Sequence, residues 1–305
     1  MSNPISLLRG RLNFRDRAVL ITGASSGIGE DIAQALGRFG AQIGLIARRK
    51  TKLQELADRI AAQGGRALPL ACDVSRRSEV NEAVHRAANA FGKVDIVINS
   101  AGVLIPAHTE DARIEDLDAM MRTNFYGTVH MIQAVLPLMR EAGAGQIVNI
   151  ASLAGRRGFS PIGGYSATKF AVVGFTEALR MELVGSGITV SLVMPGLIDT
   201  PMAEGAVSSD DNLSSLPKLA MPVNWVTWAI IAVLMFGLSE IGVPPGASTM
   251  QKLSAFFPGT TDLMLNLGSR MLERFGRIEQ YREAAGEAEQ LSAPPTMKRR
   301  SKPRL

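Results

Sequence analysis

Only one cysteine, Cys72, occurs in the 305 residues, so no disulfide can form within the chain and a reducing compartment is expected. Histidine is almost as scarce. His85, His108 and His130 are scattered, with no H-E-x-x-H run and no Cys/His cluster, so no metal site is expected. Aromatic residues make up only 5% of the chain. The opening M-S-N-P-I-S-L-L-R-G-R lacks the apolar core of a secretory signal. Long apolar runs are also missing. The uncharged stretch W-V-T-W-A-I-I-A-V-L-M-F-G-L at 225–238 is shorter than the roughly 18–20 residues that span a bilayer. It reads as a buried helix, with a helix lying on a membrane surface as the alternative. The expected location is cytoplasmic, with membrane association as the variant of that reading.

What is present points to a packed globular domain. Hydrophobic residues reach 46%, which is not a disordered composition. Thirty glycines, with many Ala, Val and Ile, suit helices packed closely on a parallel sheet. The formal net charge is +5, and five basic residues crowd into the last nine, M-K-R-R-S-K-P-R-L. That tail reads as a solvated, disordered terminus, or else as a weak attractor of anionic lipid. No zinc-finger or RNP-type motif accompanies it, so no nucleic-acid partner is expected.

Apolar runs alternate with helical patterns along the chain. Short β-rich runs fall at 18–22, 41–47, 67–72, 95–99, 146–150 and 189–194, and a weaker one at 241–245. Helical periodicity occupies 27–39, 50–63, 76–91, 115–141 and 164–184. This alternation predicts an α/β fold: a Rossmann-type, doubly wound parallel sheet with helices on both faces. The expected domains are a catalytic unit over 1–245 and a helical C-terminal extension over 246–305 with the basic tail. In such a sheet, ligands bind beyond the C-terminal ends of the strands, and the chemically suggestive residues follow strands here.

The first strand runs into T-G-A-S-S-G-I-G at 22–29 and then a helix. Gly23, Gly27 and Gly29 permit a tight turn and close approach of backbone to a ligand, and the helix start favours an anion. Ser25, Ser26 and Ile28 complete the loop. The second strand ends I-A-R-R-K, with Ala47 where an acid would bind ribose hydroxyls. Arg48 and Arg49 follow, and a guanidinium suits a 2′-phosphate, so NADP(H) is expected in preference to NAD(H). Asp73, next to Val74 after the third strand, is placed to accept a bond from an adenine amino group.

With these pieces the sequence resembles the short-chain dehydrogenase/reductase family. The loop at 22–29 matches the family's cofactor loop. N-S-A-G, Asn99 to Gly102, matches its N-N-A-G motif with Ser100 for Asn, and Y-S-A-T-K at 165–169 matches Y-x-x-x-K. Ser152 stands at the usual interval before Tyr165, and Asn124 lies in the helix after the fourth strand. P-G-L-I-D-T at 195–200 matches the segment that meets the nicotinamide. The resemblance implies a catalytic set of Asn124, Ser152, Tyr165 and Lys169. It implies cofactor contacts at the loop residues and Arg48, Arg49, Asp73, Val74, Asn99, Ala101, Gly102, Tyr165, Lys169, Pro195, Gly196, Ile198 and Thr200. Lys169, four residues beyond Tyr165 on a helix, is expected to lower the phenol pKa so that Tyr165 exchanges a proton with the substrate oxygen. The resemblance also implies that Lys169 holds the nicotinamide ribose, that Ser152 bonds the substrate oxygen, and that Asn124 fixes a water relaying protons to Lys169.

The resemblance covers roughly 16–202 and then weakens. The family's usual closing segment, of the G-x-x-x-x-V-D-G-G kind, is absent, which puts tetramer formation in doubt; a homodimer or other homo-oligomer is expected. Residues 200–220 are small and polar, like the mobile lid of the family. Phe256, Phe257, Leu263, Met264, Leu265 and Leu267 are spaced as an amphipathic helix, packing on the domain or touching a membrane peripherally. Leu104, Leu153, Phe159, Ile162, Leu197 and Met202 give the expected cleft an apolar lining. The expected substrate is therefore a small hydrophobic ketone, aldehyde or alcohol.

Overall fold

A computed structural model describes residues 14–208, 220–264 and 267. Seven strands form one all-parallel sheet: β1 (Ala18–Thr22), β2 (Gln42–Ala47), β3 (Arg66–Ala71), β4 (Ile96–Asn99), β5 (Gly145–Ile150), β6 (Ile188–Pro195) and β7 (Glu240–Val243). The spatial order is β3-β2-β1-β4-β5-β6-β7. The order reverses between β1 and β4, so loops leaving these two neighbours diverge and open a crevice at their C-terminal ends. All five residues of β1 are buried, which is why the run reads as continuously apolar. Pro69 is tolerated because β3 is an edge strand.

Helices cover both faces. One face is packed by α1 (Gly27–Arg38), α2 (Lys50–Ala62) and the later helix α8 (Asn224–Phe236). The other carries α3 (Arg77–Phe91), α5 (Gly127–Ala142) and α6 (Gly163–Glu182). The uncharged stretch at 225–238 is thus a core helix. Val226, Ile230, Ile231 and Val233 are buried, and Thr227 Oγ1 donates to Asp31 of α1 at 2.5 Å. No helix among the described residues is long and apolar enough to cross a membrane.

Two features differ from the sequence reading. The helix expected over 115–141 is broken into α4 (Ile114–Met120), a π-helical turn (Met121–Tyr126) and α5. The wider turn carries Thr123 and Asn124, and such turns recur at functional sites. The chain also divides into two compact units after Phe256, later than the expected boundary at residue 245. The reason is that α9 (Ala247–Ser254) packs on β7, with Lys252 Nζ 2.8 Å from Glu240 Oε1. In the second unit, residues 258–264 are helical. Between β6 and α8, α7 (Pro201–Ser208) forms the start of the expected lid segment. Residues 209–219, Leu265 and the basic tail lie outside the described residues.

Candidate active site

The loop from β1 to α1 depends on glycine at two points. Gly23 has φ +69°, and a Cβ there would lie 2.9 Å from Ala101 Cα. A Cβ on Gly29 would lie 2.5 Å from the Gly23 carbonyl oxygen. Both obstacles are backbone and cannot swing aside, so only glycine lets the loop fold onto α1 and against the 99–102 segment. Thr22 Oγ1 fixes that segment by accepting from the N–H groups of Ser100 and Ala101, each at 3.0 Å. At the start of α1, Ser26 occupies the cap position without making a side-chain cap bond. Helix geometry leaves the first-turn N–H groups without intrahelical partners, so they are available to an anion.

A cavity of about 300 Å³ opens in front of these groups. Gly23, Ser25, Ser26, Gly27 and Ile28 form one wall, and Ala47, Arg48 and Arg49 the end of β2. Asp73 and Val74 follow β3, Ala101 and Gly102 follow β4, and Thr200 and Met202 close the far side. Twelve of the expected cofactor residues therefore meet in one place: Gly23, Ser25, Ser26, Gly27, Ile28, Arg48, Arg49, Asp73, Val74, Ala101, Gly102 and Thr200. Arg49 is already fastened to the loop. Its Nη2 donates to Ser25 Oγ at 2.9 Å and to Ser26 Oγ at 2.7 Å. Asp73 Oδ1 accepts from Ser75 N and Oγ at 3.0 and 2.7 Å. Burial works against the Asp73 carboxylate, but the Ser75 bonds and the charges of Arg48 and Arg76 outweigh it and hold the carboxyl below its usual range.

Other expected residues support the site from beneath. Gly29 acts by the close approach just described, away from the cavity lining. Asn99 is buried, and its Nδ2 donates to Asn149 Oδ1 at 2.8 Å, tying β4 to β5. Pro195, Gly196 and Ile198 lie beyond the lining; the Pro195 carbonyl accepts from Ser152 Oγ at 3.2 Å, and Gly196 N donates to Val243 O at 2.7 Å.

Tyr165, Ser152 and Lys169 converge at the ends of β5 and β6. Ser152 caps a 3₁₀ turn (Leu153–Gly155), its Oγ accepting from Ala154 N at 3.1 Å, and it lies beside Tyr165, where it favours the phenolate. Lys169 Nζ lies 5.5 Å from the Tyr165 ring centroid and donates to Ile150 O at 3.0 Å. The same Nζ would lie 3.8 Å from a Cβ on Gly102, a residue of the cavity wall, whereas Ser152, Tyr165 and Lys169 themselves lie behind that lining. Burial dominates both groups. It pushes the Tyr165 phenol up to about 12, against the lowering effect of Ser152, and brings the Lys169 ammonium down to about 8. The expectation that Lys169 lowers the Tyr165 pKa is therefore corrected: in the protein alone, desolvation of a buried phenol wins.

Asn124 is buried in the π turn and spends its side chain on structure. Oδ1 accepts from Val103 N at 2.7 Å, while Nδ2 donates to Val103 O at 2.9 Å and to Thr168 Oγ1 at 2.9 Å. Thr168 Oγ1 in turn donates to Tyr165 O at 2.7 Å. One chain of bonds thus links the strand-β4 loop, the π turn and the tyrosine helix. Sequence reasoning missed Thr168, Thr22, Thr123, Ser100, Val103 and Cys72. Thr168 carried the one usable signal, since a threonine three residues beyond Tyr165 on a helix can return its hydroxyl to that carbonyl.

Near Tyr165 the surroundings are apolar. Met120 and Ala154 pack with it, and Val103, Leu104, Ile105, Leu117, Phe159 and Ile162 lie against that cluster. Leu153 packs in the neighbouring cluster of Ala151, Val172 and Met194. Arg156, after the 3₁₀ turn, pairs with Glu177 at 2.5 Å and Glu240 at 2.8 Å, anchoring the Ser152 loop to α6 and β7. Among the described residues no group of His, Cys, Asp and Glu is arranged to hold a metal ion.

Comparison with known proteins agrees with this architecture. A family model described as short chain dehydrogenase matches residues 17–211. An uncharacterized oxidoreductase of Staphylococcus aureus is 40% identical over 232 residues, covering 75% of this chain and 97% of that protein. Another, from Staphylococcus epidermidis, is 37% identical over 191 residues, covering 63% of this chain and 82% of its own. Among solved structures, a short-chain type dehydrogenase/reductase from Mycobacterium marinum is similar with a TM-score of 0.68 at 32% identity, over 72% of this chain and 89% of that one. A match of that extent, carried on a sheet of this order, places the chain in the short-chain dehydrogenase family of oxidoreductases.

Proposed function

We propose that the protein interconverts a hydrophobic ketone or aldehyde and its alcohol, with NADP(H) as the preferred cofactor and Tyr165 as the proton donor and acceptor. The observation that carries the reading is the buried meeting of Tyr165 with Ser152 and Lys169, with Lys169 Nζ next to Gly102 in the wall of a cavity that begins at an anion-binding helix start.

The residues present suit a dinucleotide phosphate. The glycine-dependent loop and the first turn of α1 would hold the pyrophosphate. Arg49, held by Ser25 and Ser26, would hold the 2′-phosphate with Arg48 beside it, and Ala47 presents no carboxylate to repel it. Asp73 would meet the adenine edge, and Lys169 the nicotinamide ribose. When bound, the nicotinamide supplies or accepts hydride.

The chain's own residues manage the proton. In reduction, the Tyr165 hydroxyl gives its proton to the carbonyl oxygen; in oxidation, the phenolate takes it from the alcohol. Ser152 Oγ hydrogen-bonds the same oxygen as charge develops there. Burial keeps the Tyr165 hydroxyl protonated in the protein alone, the form a donor starts from, although a phenol pushed up to about 12 is a weak acid. Asn124 and Thr168 keep the tyrosine helix in register with the cavity floor. The apolar cluster of Leu104, Phe159 and Ile162 beside Tyr165 favours a hydrophobic substrate and excludes water from it. The test is NADPH consumption by purified protein across a panel of hydrophobic ketones and aldehydes, with NADH in parallel. Faster turnover with NADPH than with NADH supports the reading. Reduction of only small polar carbonyls, or preference for NADH, would overturn the corresponding part of it.

A further inference from the structure

Ser152 stands at the head of a single 3₁₀ turn, and that turn has few bonds of its own. Gly155 N donates to Ser152 O at 2.9 Å, and Arg156 N and Arg157 N donate to Leu153 O at 3.0 and 3.2 Å. One such turn is a weak unit, so its direction depends on what grips it from outside. Ser152 Oγ supplies only a long bond, to Pro195 O at 3.2 Å. On the α6 side the grip is steric: a Cβ on Gly155 would lie 2.8 Å from the Lys169 carbonyl oxygen. The remaining grip is ionic. Arg156 Nη2 reaches Glu177 of α6 and Glu240 of β7, and Glu240 Oε1 in turn meets Lys252 of α9. β7 and α9 are closely packed, since a Cβ on Gly242 would lie 2.9 Å from Ser248 N.

This network is poorly suited to stability alone. The Arg156 and Glu240 side chains are only 16% and 14% exposed, and Arg156 Nε has no hydrogen-bond partner among the described residues. Taking a guanidinium out of water with one N–H unanswered costs free energy that an apolar side chain of similar size would not. What the charges add is direction, because a planar guanidinium bonded to two carboxylates cannot turn as an apolar chain can. Burial works against the Glu240 carboxylate, but Lys252 and Arg156 outweigh it and hold the carboxyl below its usual range. None of residues 152–156 lines the cofactor cavity, so the grip bears on Ser152 rather than on the dinucleotide.

We propose that Arg156 is a positioning residue for Ser152, fixed in its turn by Glu240 and by Lys252 of α9. That role rests on the reading that Ser152 bonds the substrate oxygen. It also makes the rate of the chemical step depend on α9, a helix beyond residue 245 that contributes nothing to the cofactor cavity.

The experiment is a double-mutant cycle on the full-length protein: wild type, Arg156→Met, Ser152→Ala and the two together, with NADPH and the best hydrophobic ketone. Arg156→Met should lower kcat about tenfold and leave the KM for NADPH within about threefold. Once Ser152 is alanine, the same change should matter less than about twofold, because residues that act as a unit are not additive. Arg156→Lys, which keeps the charge, should recover most of the rate. Lys252→Met should follow the same pattern more weakly, about two- to fivefold in kcat, since that side chain is half exposed. Amide exchange gives a readout without turnover. Ala154 and Gly155 should exchange faster in Arg156→Met, while Val148 and Asn149 of β5 stay protected and show that the fold is intact. Should Arg156→Met fail to fold, Lys252→Met in the same cycle carries the test. Full activity in Arg156→Met, an equal loss in both Ser152 backgrounds, or unchanged exchange at the turn would overturn the proposal. Undiminished turnover in Ser152→Ala would instead overturn the reading of Ser152 itself, and the proposal with it.

Discussion

Replacing Lys169 by methionine should make the cofactor-free protein more stable at neutral pH while destroying its activity. Burial lowers the Lys169 pKa from 10.5 to about 8. At about 1.4 kcal/mol per pH unit, keeping the ammonium buried and charged costs roughly 3 kcal/mol near pH 7. Methionine removes that cost and leaves the Ile150 carbonyl without its Nζ donor, a loss of about 1–2 kcal/mol. The net expectation is a gain of about 1–2 kcal/mol. The sign of the pH dependence follows from proton counting. Between about 8 and 10.5 the unfolded lysine binds more protons than the folded one, so wild-type stability rises with pH through that window. The cost falls by about 2 kcal/mol from about pH 7 to about pH 9.5, and the advantage of the variant should shrink or reverse by that amount. Tyr165, raised to about 12, has the opposite sign: its stabilising contribution is lost as pH rises from about 10, equally in both proteins, so it cancels in the difference. Urea unfolding of both proteins at the two pH values, without cofactor, measures this directly. A stability difference that does not change with pH would refute the reasoning, whatever its size.

Other outcomes follow from single contacts. Arg49→Ala should raise the KM for NADPH about 10- to 100-fold and leave that for NADH within about threefold, because one charge-assisted phosphate contact is worth roughly 1.5–3 kcal/mol; steady-state kinetics with both cofactors decides it. Gly29→Ala forces a Cβ to 2.5 Å from the Gly23 carbonyl oxygen, and should cost about 1–3 kcal/mol in chemical unfolding together with weaker NADPH binding. Thr168→Val leaves Asn124 Nδ2 only its bond to Val103 O and removes the hydroxyl bond to the Tyr165 carbonyl, so kcat should fall about tenfold or more with little change in cofactor affinity, while Thr168→Ser, which keeps the hydroxyl, should restore it.

The sheet was readable because its physics is local. Runs such as A-V-L-I-T are buried on both faces, and a strand of that kind shows itself by length and β-branching alone. The phosphate loop was readable for a related reason: three glycines between a strand and a helix report backbone constraints that Gly23 and Gly29 indeed meet. What escaped depends on distant partners. The π turn at Met121–Tyr126 leaves no mark in helical periodicity, since one extra residue in a turn is accommodated by contacts such as Asn124 with Val103. The Tyr165 pKa was misjudged because the i, i+4 spacing shows that a cation is near but not that both groups are desolvated. The edge strand β7 was visible only faintly, being four residues long and pinned by Arg156 and Lys252 through Glu240.

The central claim is that Tyr165 carries the proton in an NADPH-linked carbonyl reduction. Its most direct test is NADPH oxidation by wild type and Tyr165→Phe with the best hydrophobic ketone, beside NADPH binding to both proteins. The account predicts that phenylalanine leaves cofactor binding within about threefold and lowers turnover by at least about a hundredfold, the usual scale of a lost general acid. Turnover that survives the substitution, with cofactor bound normally, would contradict it.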